Sequence, residues 1–294
     1  MSKSVLLLCF VVITTNIYAG KIVTDSINST VLKSWVKYNI YLPDSYAKTS
    51  DKYPALYLLH GLHGGYYSWE KYRLNLVADL KMRNQEVREM VIIMPNAGGP
   101  YSDKVRNGYF DVDGWKYETF FFEEFMPHVE KKYRVIGDKG HRAVSGLSMG
   151  GSGTITYGMH HPELFSACYN MSGWGGMSDK TQGGIYKTDC PEPERKDFKS
   201  DIQYATSKSV YDNRPVPYLA KASKEKLAAL RTVKWYIDVG DDDFLLEPNV
   251  DLFLAMRKYN IKCELRVQDG IHNQEYWYKA LYTMLPFVDR CMDK

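Results

Sequence analysis

Apolar positions along this chain follow two rhythms. Over 31–42 they fall at Val31, Trp35, Val36, Tyr38, Ile40 and Leu42. That rough alternation predicts a strand with one exposed face, stopped by Pro43. Over 53–59 the residues are nearly all apolar, as in a strand covered on both faces. The run ends in His60-Gly61-Leu62-His63-Gly64-Gly65, and Tyr72, Leu74, Val77, Leu80 and Met82 then predict a helix over 69–83. The alternation continues with strands over 90–94, 142–145, 165–169, 233–239 and 263–267. Helices are predicted over 119–133, 148–160, about 249–259, and 274–288. This βαβα order predicts an α/β fold, a mostly parallel central sheet with helices on both faces and sites at the carboxyl ends of its strands.

Between Gly173 and Leu219 neither rhythm persists, and Gly, Ser, Asp, Lys and Pro dominate. A long irregular stretch inside a compact domain is expected to be a lid or binding loop, and 174–217 is its core. No Pro/Ser-rich linker divides the 294 residues, so 20–294 reads as one domain. Ahead of it, Lys3, an apolar run over 5–13 and the small-residue exit Ala19-Gly20 have the layout of a signal peptide over 1–19. The run is too short to span a bilayer, so the expectation is a secreted or periplasmic protein without stable membrane insertion.

Composition narrows the partners. A net charge of +3 without a block of basic residues gives no footprint for nucleic acid. The 24 Tyr and 6 Trp offer flat amphipathic surface suited to carbohydrate or aromatic ligands. Without Cys9, which lies in the leader, four cysteines remain: Cys168, Cys190, Cys263 and Cys291. In an oxidising compartment they allow one or two disulfides, and no Cys-x-x-Cys suggests a metal or redox site.

The chemistry concentrates in Gly146-Leu147-Ser148-Met149-Gly150, with Gly151 after it, set between an apolar strand and a helix-forming segment. At such a sharp strand-to-helix turn the glycines avoid backbone collisions and the serine hydroxyl is pushed into the open. A serine needs a base, and the base an orienting acid, in the chain order Ser, acid, His. Of seven histidines only His272 follows the strand over 233–239. The acid lies among Asp238, Asp241, Asp242 and Asp243, with Asp243 favoured because the residues just after the strand make the turn; the others are expected to face solvent. Oxyanion donors are expected at the N–H groups of Met149 and of Leu62 or its neighbour. His60 and His63 precede the serine and belong to the loop that shapes this hole.

These stretches resemble the esterase D type of α/β-hydrolases, which includes feruloyl esterases of the carbohydrate esterase family 1 kind, S-formylglutathione hydrolase, enterochelin esterases and the antigen 85 mycolyltransferases. The resemblance rests on Tyr57-Leu58-Leu59-His60-Gly61, on Tyr117-Glu118-x-Phe120 leading to Met126 through Arg134, on Arg142 through Gly151, on Gly240 through Leu245, and on His272-x-x-x-Tyr276-Trp277. It implies the α/β-hydrolase fold, a triad of Ser148, Asp243 and His272, oxyanion donors at Leu62 and Met149, and ester cleavage through an acyl-enzyme without metal or organic cofactor. The acid loop departs from its relatives, with Asp241-Asp242 where Thr-Glu is more common, and 174–217 matches no family pattern.

Export and abundant aromatics favour a feruloyl or acetyl ester on a polysaccharide, with Tyr66, Tyr67, Trp174 and Trp277 as candidate substrate contacts. Two rivals are acyl transfer to a sugar or lipid acceptor, separable by product analysis, and a non-catalytic carbohydrate-binding relative, disfavoured by the intact set of serine, acid and histidine.

Overall fold

The computed structural model describes residues 19–97, 109–112, 114–173 and 192–294, apart from the side chains of residues 202 and 210. The expected leader therefore lies outside the described residues but for its last position, as do Trp174 and Cys190.

Ten strands are described: β1 (Lys21–Ser29), β2 (Ser34–Leu42), β3 (Ala55–Leu59), β4 (Val91–Pro95), β5 (Asp111–Val112), β6 (Trp115–Lys116), β7 (Arg142–Leu147), β8 (Ala167–Met171), β9 (Lys234–Gly240) and β10 (Cys263–Gln268). Eight of them form one sheet in the order β1-β2-β4-β3-β7-β8-β9-β10. From β4 to β10 every neighbour is parallel, while β2 is antiparallel to both β1 and β4. This is the mostly parallel sheet that the alternation of patterns predicts, completed by an antiparallel hairpin at one edge.

The helices are α1 (Ser68–Lys71), α2 (Leu74–Arg83), α3 (Tyr117–Phe120), α4 (Met126–Lys132), α5 (Met149–His160), α6 (Asp201–Asp212), α7 (Pro215–Lys221), α8 (Lys224–Leu230), α9 (Leu246–Lys258) and α10 (Gln274–Cys291). They cover both faces. Tyr57 and Leu59 of β3 pack in one core with Phe121, Phe125, Tyr157 and Met256. Leu56 and Leu58 pack in another with Leu74 and Val77 of α2 and with Leu281 and Met284 of α10. Alternate residues of a single strand thus feed two cores, which is why its sequence reads as an unbroken apolar run.

Four local departures have physical reasons. β1 escapes a reading by periodicity because it is an edge strand with few buried positions. The helix expected over 69–83 is broken at Arg73, whose φ of +59° separates α1 from α2. Between α3 and α4 the helix widens into a π turn at Phe121–Phe125, just where Pro127 cannot donate its backbone bond to the preceding turn. The stretch expected to be irregular up to Leu219 becomes helical from Asp201 onward; α6 has a Ser200 cap, which accepts from the Gln203 N–H, and Pro215 starts α7, where its missing N–H costs nothing.

Cys168, Cys263 and Cys291 are free. Cys168 and Cys263 are each in register with Trp235 from opposite sides. Two strand spacings, roughly 9.5 Å, separate their Cα atoms, beyond the reach of a disulfide. Among the described residues no helix is long and apolar enough to cross a membrane.

Candidate active site

The register aligns the carboxyl ends of the central strands. Leu59 pairs with Gly146, Leu147 with Met171, and Met171 with Asp238. The loops after β3, β7, β8 and β9 therefore leave the sheet at one level, where sites in parallel sheets collect.

Ser148 stands alone between β7 and α5 with φ +52° and ψ −119°, a region that residues with a side chain rarely occupy. The flanking glycines show what makes this turn possible. A Cβ on Gly146 would lie 2.4 Å from the Gly150 carbonyl oxygen, and one on Gly150 would lie 2.4 Å from that of Leu59. Both obstacles are backbone, so neither can swing aside. The Ser148 N–H donates to Met171 O at 2.8 Å, holding the turn to the neighbouring strand.

His272 follows β10 and Asp243 follows β9. The histidine Nε2 lies 2.9 Å from Ser148 Oγ, and its Nδ1 lies 2.9 Å and 3.0 Å from the two Asp243 carboxylate oxygens. With Nδ1–H donating to the carboxylate, Nε2 is free to accept from the serine hydroxyl. Asp243 is buried and also accepts from the Leu245 N–H at 2.9 Å. Phe244 and Trp277 flank the imidazole with ring centroids at 4.5 Å and 4.9 Å, Trp277 standing perpendicular to it. Other histidines have different partners: His128 meets the Tyr38 hydroxyl, His141 meets Asp138, and His160 and His161 share Glu118.

The two loops that carry acid and base are laced together. Asp241 N–H donates to Gln268 O and Asp242 N–H to Gly270 O, while the Asp241 carboxylate accepts from the Gly270 N–H at 3.0 Å. Asp241 and Asp242 are exposed, as expected, but Asp238 is not. It is fully buried, accepts from the hydroxyls of Tyr169 and of Tyr276 (2.5 Å), and lies 3.8 Å from Arg266. Burial pushes its carboxyl above the usual value, opposed by those two hydroxyls and the guanidinium. The expectation that it faces solvent is corrected: Asp238 lies on the strand proper, where alternation aims it into the core under α10. The signal was present in Trp235-Tyr236-Ile237-Asp238-Val239, a lone charge within an apolar run.

A second buried polar link carries no sequence signal. Asn170 donates to Asn249 at 2.8 Å, Asn249 donates to the Gly173 carbonyl at 2.7 Å, and Gly173 N–H returns to Asn170 at 2.7 Å. This ties the end of β8 to the start of α9, beside the acid loop.

Leu62 lies in the turn after β3, and Met149 opens α5, where the first N–H groups have no partner within the helix. A Cβ on the adjoining Gly61 would come within 3.5 Å of Ser148 Cβ, so this turn passes close beside the nucleophile. His60 braces it from beneath: Nδ1 donates to Gly61 O at 2.8 Å, and Nε2 accepts from Ala97 N–H at 2.9 Å. Burial lowers its pKa to about 4, keeping the ring neutral. Of the candidate substrate contacts, Tyr66 and Tyr67 pack edge to face at 5.3 Å with Tyr67 exposed. Trp277 is buried against His272, and Trp174 lies outside the described residues. Among the described residues no three or more His, Cys, Asp or Glu side chains converge as a metal site would require.

Comparison with known proteins places the chain. Residues 29–288 match the esterase family model, described as "putative esterase". A solved ferulic acid esterase is 43% identical, with a TM-score of 0.82 over 94% of this chain and 100% of that one. An endo-1,4-beta-xylanase/feruloyl esterase of Xylanibacter ruminicola is 30% identical over 167 residues, 55% of this chain but only 21% of its own length. The chain thus spans about a fifth of that relative. An acetyl esterase of Caldicellulosiruptor saccharolyticus is 22% identical over 83% of this chain and 86% of its own. The chain belongs to the esterase family, carboxylic ester hydrolases built on the α/β-hydrolase fold.

Proposed function

We propose that this chain is a serine esterase that works through an acyl-enzyme, with Ser148 as nucleophile, His272 as general base and acid, and Asp243 orienting the imidazole. The observation that carries the reading is the hydrogen-bonded line from Asp243 through His272 to Ser148, with 2.9 Å at each step. As Ser148 Oγ attacks the ester carbonyl, its proton passes to His272 Nε2 and Asp243 stabilises the imidazolium. The N–H groups of Leu62 and Met149 receive the oxyanion. The C–O bond to the alcohol then breaks, His272 protonates the departing oxygen, and water repeats the sequence to release the acid.

The substrate we propose is a feruloyl or acetyl ester of a polysaccharide. The similarity to a ferulic acid esterase along that protein's whole length supports it, and so does the acetyl esterase relative. Export through the leader over 1–19 belongs to the same reading, because such polymers lie outside the cell, and 174–217 is the segment we propose to choose among them. The test is hydrolysis of p-nitrophenyl acetate and methyl ferulate beside a Ser148→Ala variant. Loss of about 10⁴-fold to 10⁶-fold in kcat is expected; equal activity of the two proteins removes Ser148 from the mechanism.

A further inference from the structure

A second surface of definite chemistry lies beside the reacting groups. Between the corner that joins α1 to α2 and the first turns of α10 is an open cavity of about 440 Å³, lined by Tyr72, Arg73, Gln274, Glu275 and Tyr278. Its size is that of a small-ligand site. Its lining combines two flat amphipathic rings with an amide, a guanidinium and a carboxylate. Glu275 already meets the Lys279 ammonium at 2.7 Å and Gln274 donates to Lys71 O at 3.5 Å, so an acyl chain would cover a polar surface without adding a hydrogen bond to it, and a phosphate would confront Glu275. A sugar ring satisfies all five, with C–H faces for the tyrosines and hydroxyls that both donate and accept.

Two observations connect this cavity to the ester site and give it a direction. Trp277 packs at 4.9 Å from the His272 ring on one side and 6.4 Å from Tyr72 on the other, so a single indole separates the cavity from the base. Beyond Tyr278 the aromatic surface continues along α10. Tyr282 is 37% exposed, its ring lies 5.8 Å from that of Tyr278, the two hydroxyls are 3.1 Å apart, and the Lys81 ammonium is 5.5 Å from the Tyr282 ring. Tyrosines therefore run from Tyr72 through Tyr278 to Tyr282, leading away from His272. A track of this kind fits a polymer better than an isolated small molecule.

We infer that Tyr72, Arg73, Gln274, Glu275 and Tyr278 form a sugar-binding groove, extended by Tyr282, that holds the polysaccharide chain carrying the ester. The inference rests on the polysaccharide-ester reading above for its biological meaning, but sugar binding can be tested without it. Xylotetraose, a sugar chain with no ester, is titrated with the full chain and followed by broadening of its NMR signals. Binding that Tyr278→Ala weakens by about tenfold is expected; no binding, or equal binding by the variant, overturns the groove.

Kinetics supply the second arm. Glu275→Ala and Tyr278→Ala are expected to raise KM for a feruloylated xylo-oligosaccharide by about tenfold each, while methyl ferulate, which has no sugar to enter the groove, is cleaved as before. An equal change on both esters overturns the inference. If neither ester is cleaved even by the unmodified protein, the proposed function fails while the xylotetraose titration still decides the groove.

Discussion

Ser148 and His272 stand 2.9 Å apart but are held by different physics. Around Ser148 the constraints are steric. Gly146 and Gly150 sit where any side chain would strike a carbonyl oxygen, and every residue of β7 is buried. Around His272 a steric contact also exists, since a Cβ on Gly240 would meet Gly270 O at 2.1 Å, but polar links dominate. Its loop is tied to the acid loop by backbone bonds and by the Asp241 carboxylate. Beneath it Tyr276, a residue of α10, donates to the buried Asp238. β10, which feeds this loop, is an edge strand that leaves most residues partly or wholly exposed. A steric constraint is local and gives nothing until it fails outright, whereas a hydrogen-bond network spans distant segments and can be weakened by degrees.

The sharpest way to break the steric side is Gly150→Ala. The added Cβ would lie 2.4 Å from Leu59 O and 2.7 Å from His60 O, backbone atoms at the end of β3 and the start of the turn after it. The expected cost is about 3 kcal/mol or more of folding stability, read by urea unfolding, together with loss of esterase activity because the nucleophile and the turn after β3 are forced apart. An alanine variant with unchanged stability would mean that the elbow has slack, and the contrast between the two sides would fail.

This contrast also explains what could be read without coordinates. The elbow was legible because Gly-x-Ser-x-Gly records a short-range collision in five consecutive residues. The parallel sheet was legible because β3, β4 and β7 to β9 are buried on both faces and therefore spelled in apolar runs. His272 was picked out by chain order, which left the acid among four aspartates; Asp243 was favoured there because the residues just after the strand make the turn. What escaped was the pairing of buried polar groups outside the triad: Asp238 meets Tyr169 and Tyr276, Asn170 meets Asn249, and no position in the sequence names its partner. β1 escaped because an edge strand buries little, and α6 to α8 because helices with few buried positions carry little periodicity.

The nucleophile side has a titratable polar brace of its own, and pH sharpens the comparison there. His60 is held neutral, with a folded pKa of about 4 against about 6.5 when unfolded. Between these values the unfolded chain binds the extra proton, so the contribution is complete above pH 6.5 and is lost as pH falls toward 4. The loss is about 3 kcal/mol over that window. Protonation of Nε2 would also remove the acceptor for the Ala97 N–H. His60→Gln keeps a donor and an acceptor but does not titrate, so the stability difference between it and the unmodified protein is expected to shrink from pH 7 to pH 4. A difference independent of pH would show that His60 is not kept neutral by the fold.

On the polar side the finest probe is Tyr276→Phe, which removes one hydroxyl and nothing else. The ring would still fill the space against Gly270, where a Cβ would lie 2.4 Å from it, so packing of the histidine loop is preserved. Asp238 would keep Tyr169 and Arg266 but lose its 2.5 Å donor from α10. A hydrogen bond to a charged group is worth roughly 1.5–3 kcal/mol, and the low end applies where other donors remain. If the network aims His272, the loss should appear in kcat with KM unchanged, by less than about tenfold, since the Asp243 bonds persist. If stability falls while kcat holds, the Asp238 network supports the fold under α10 and leaves the aim of His272 to the backbone bonds between the two loops. Both sides of the site would then be set largely by backbone, and the difference between them would reduce to the carboxylates of Asp241 and Asp243.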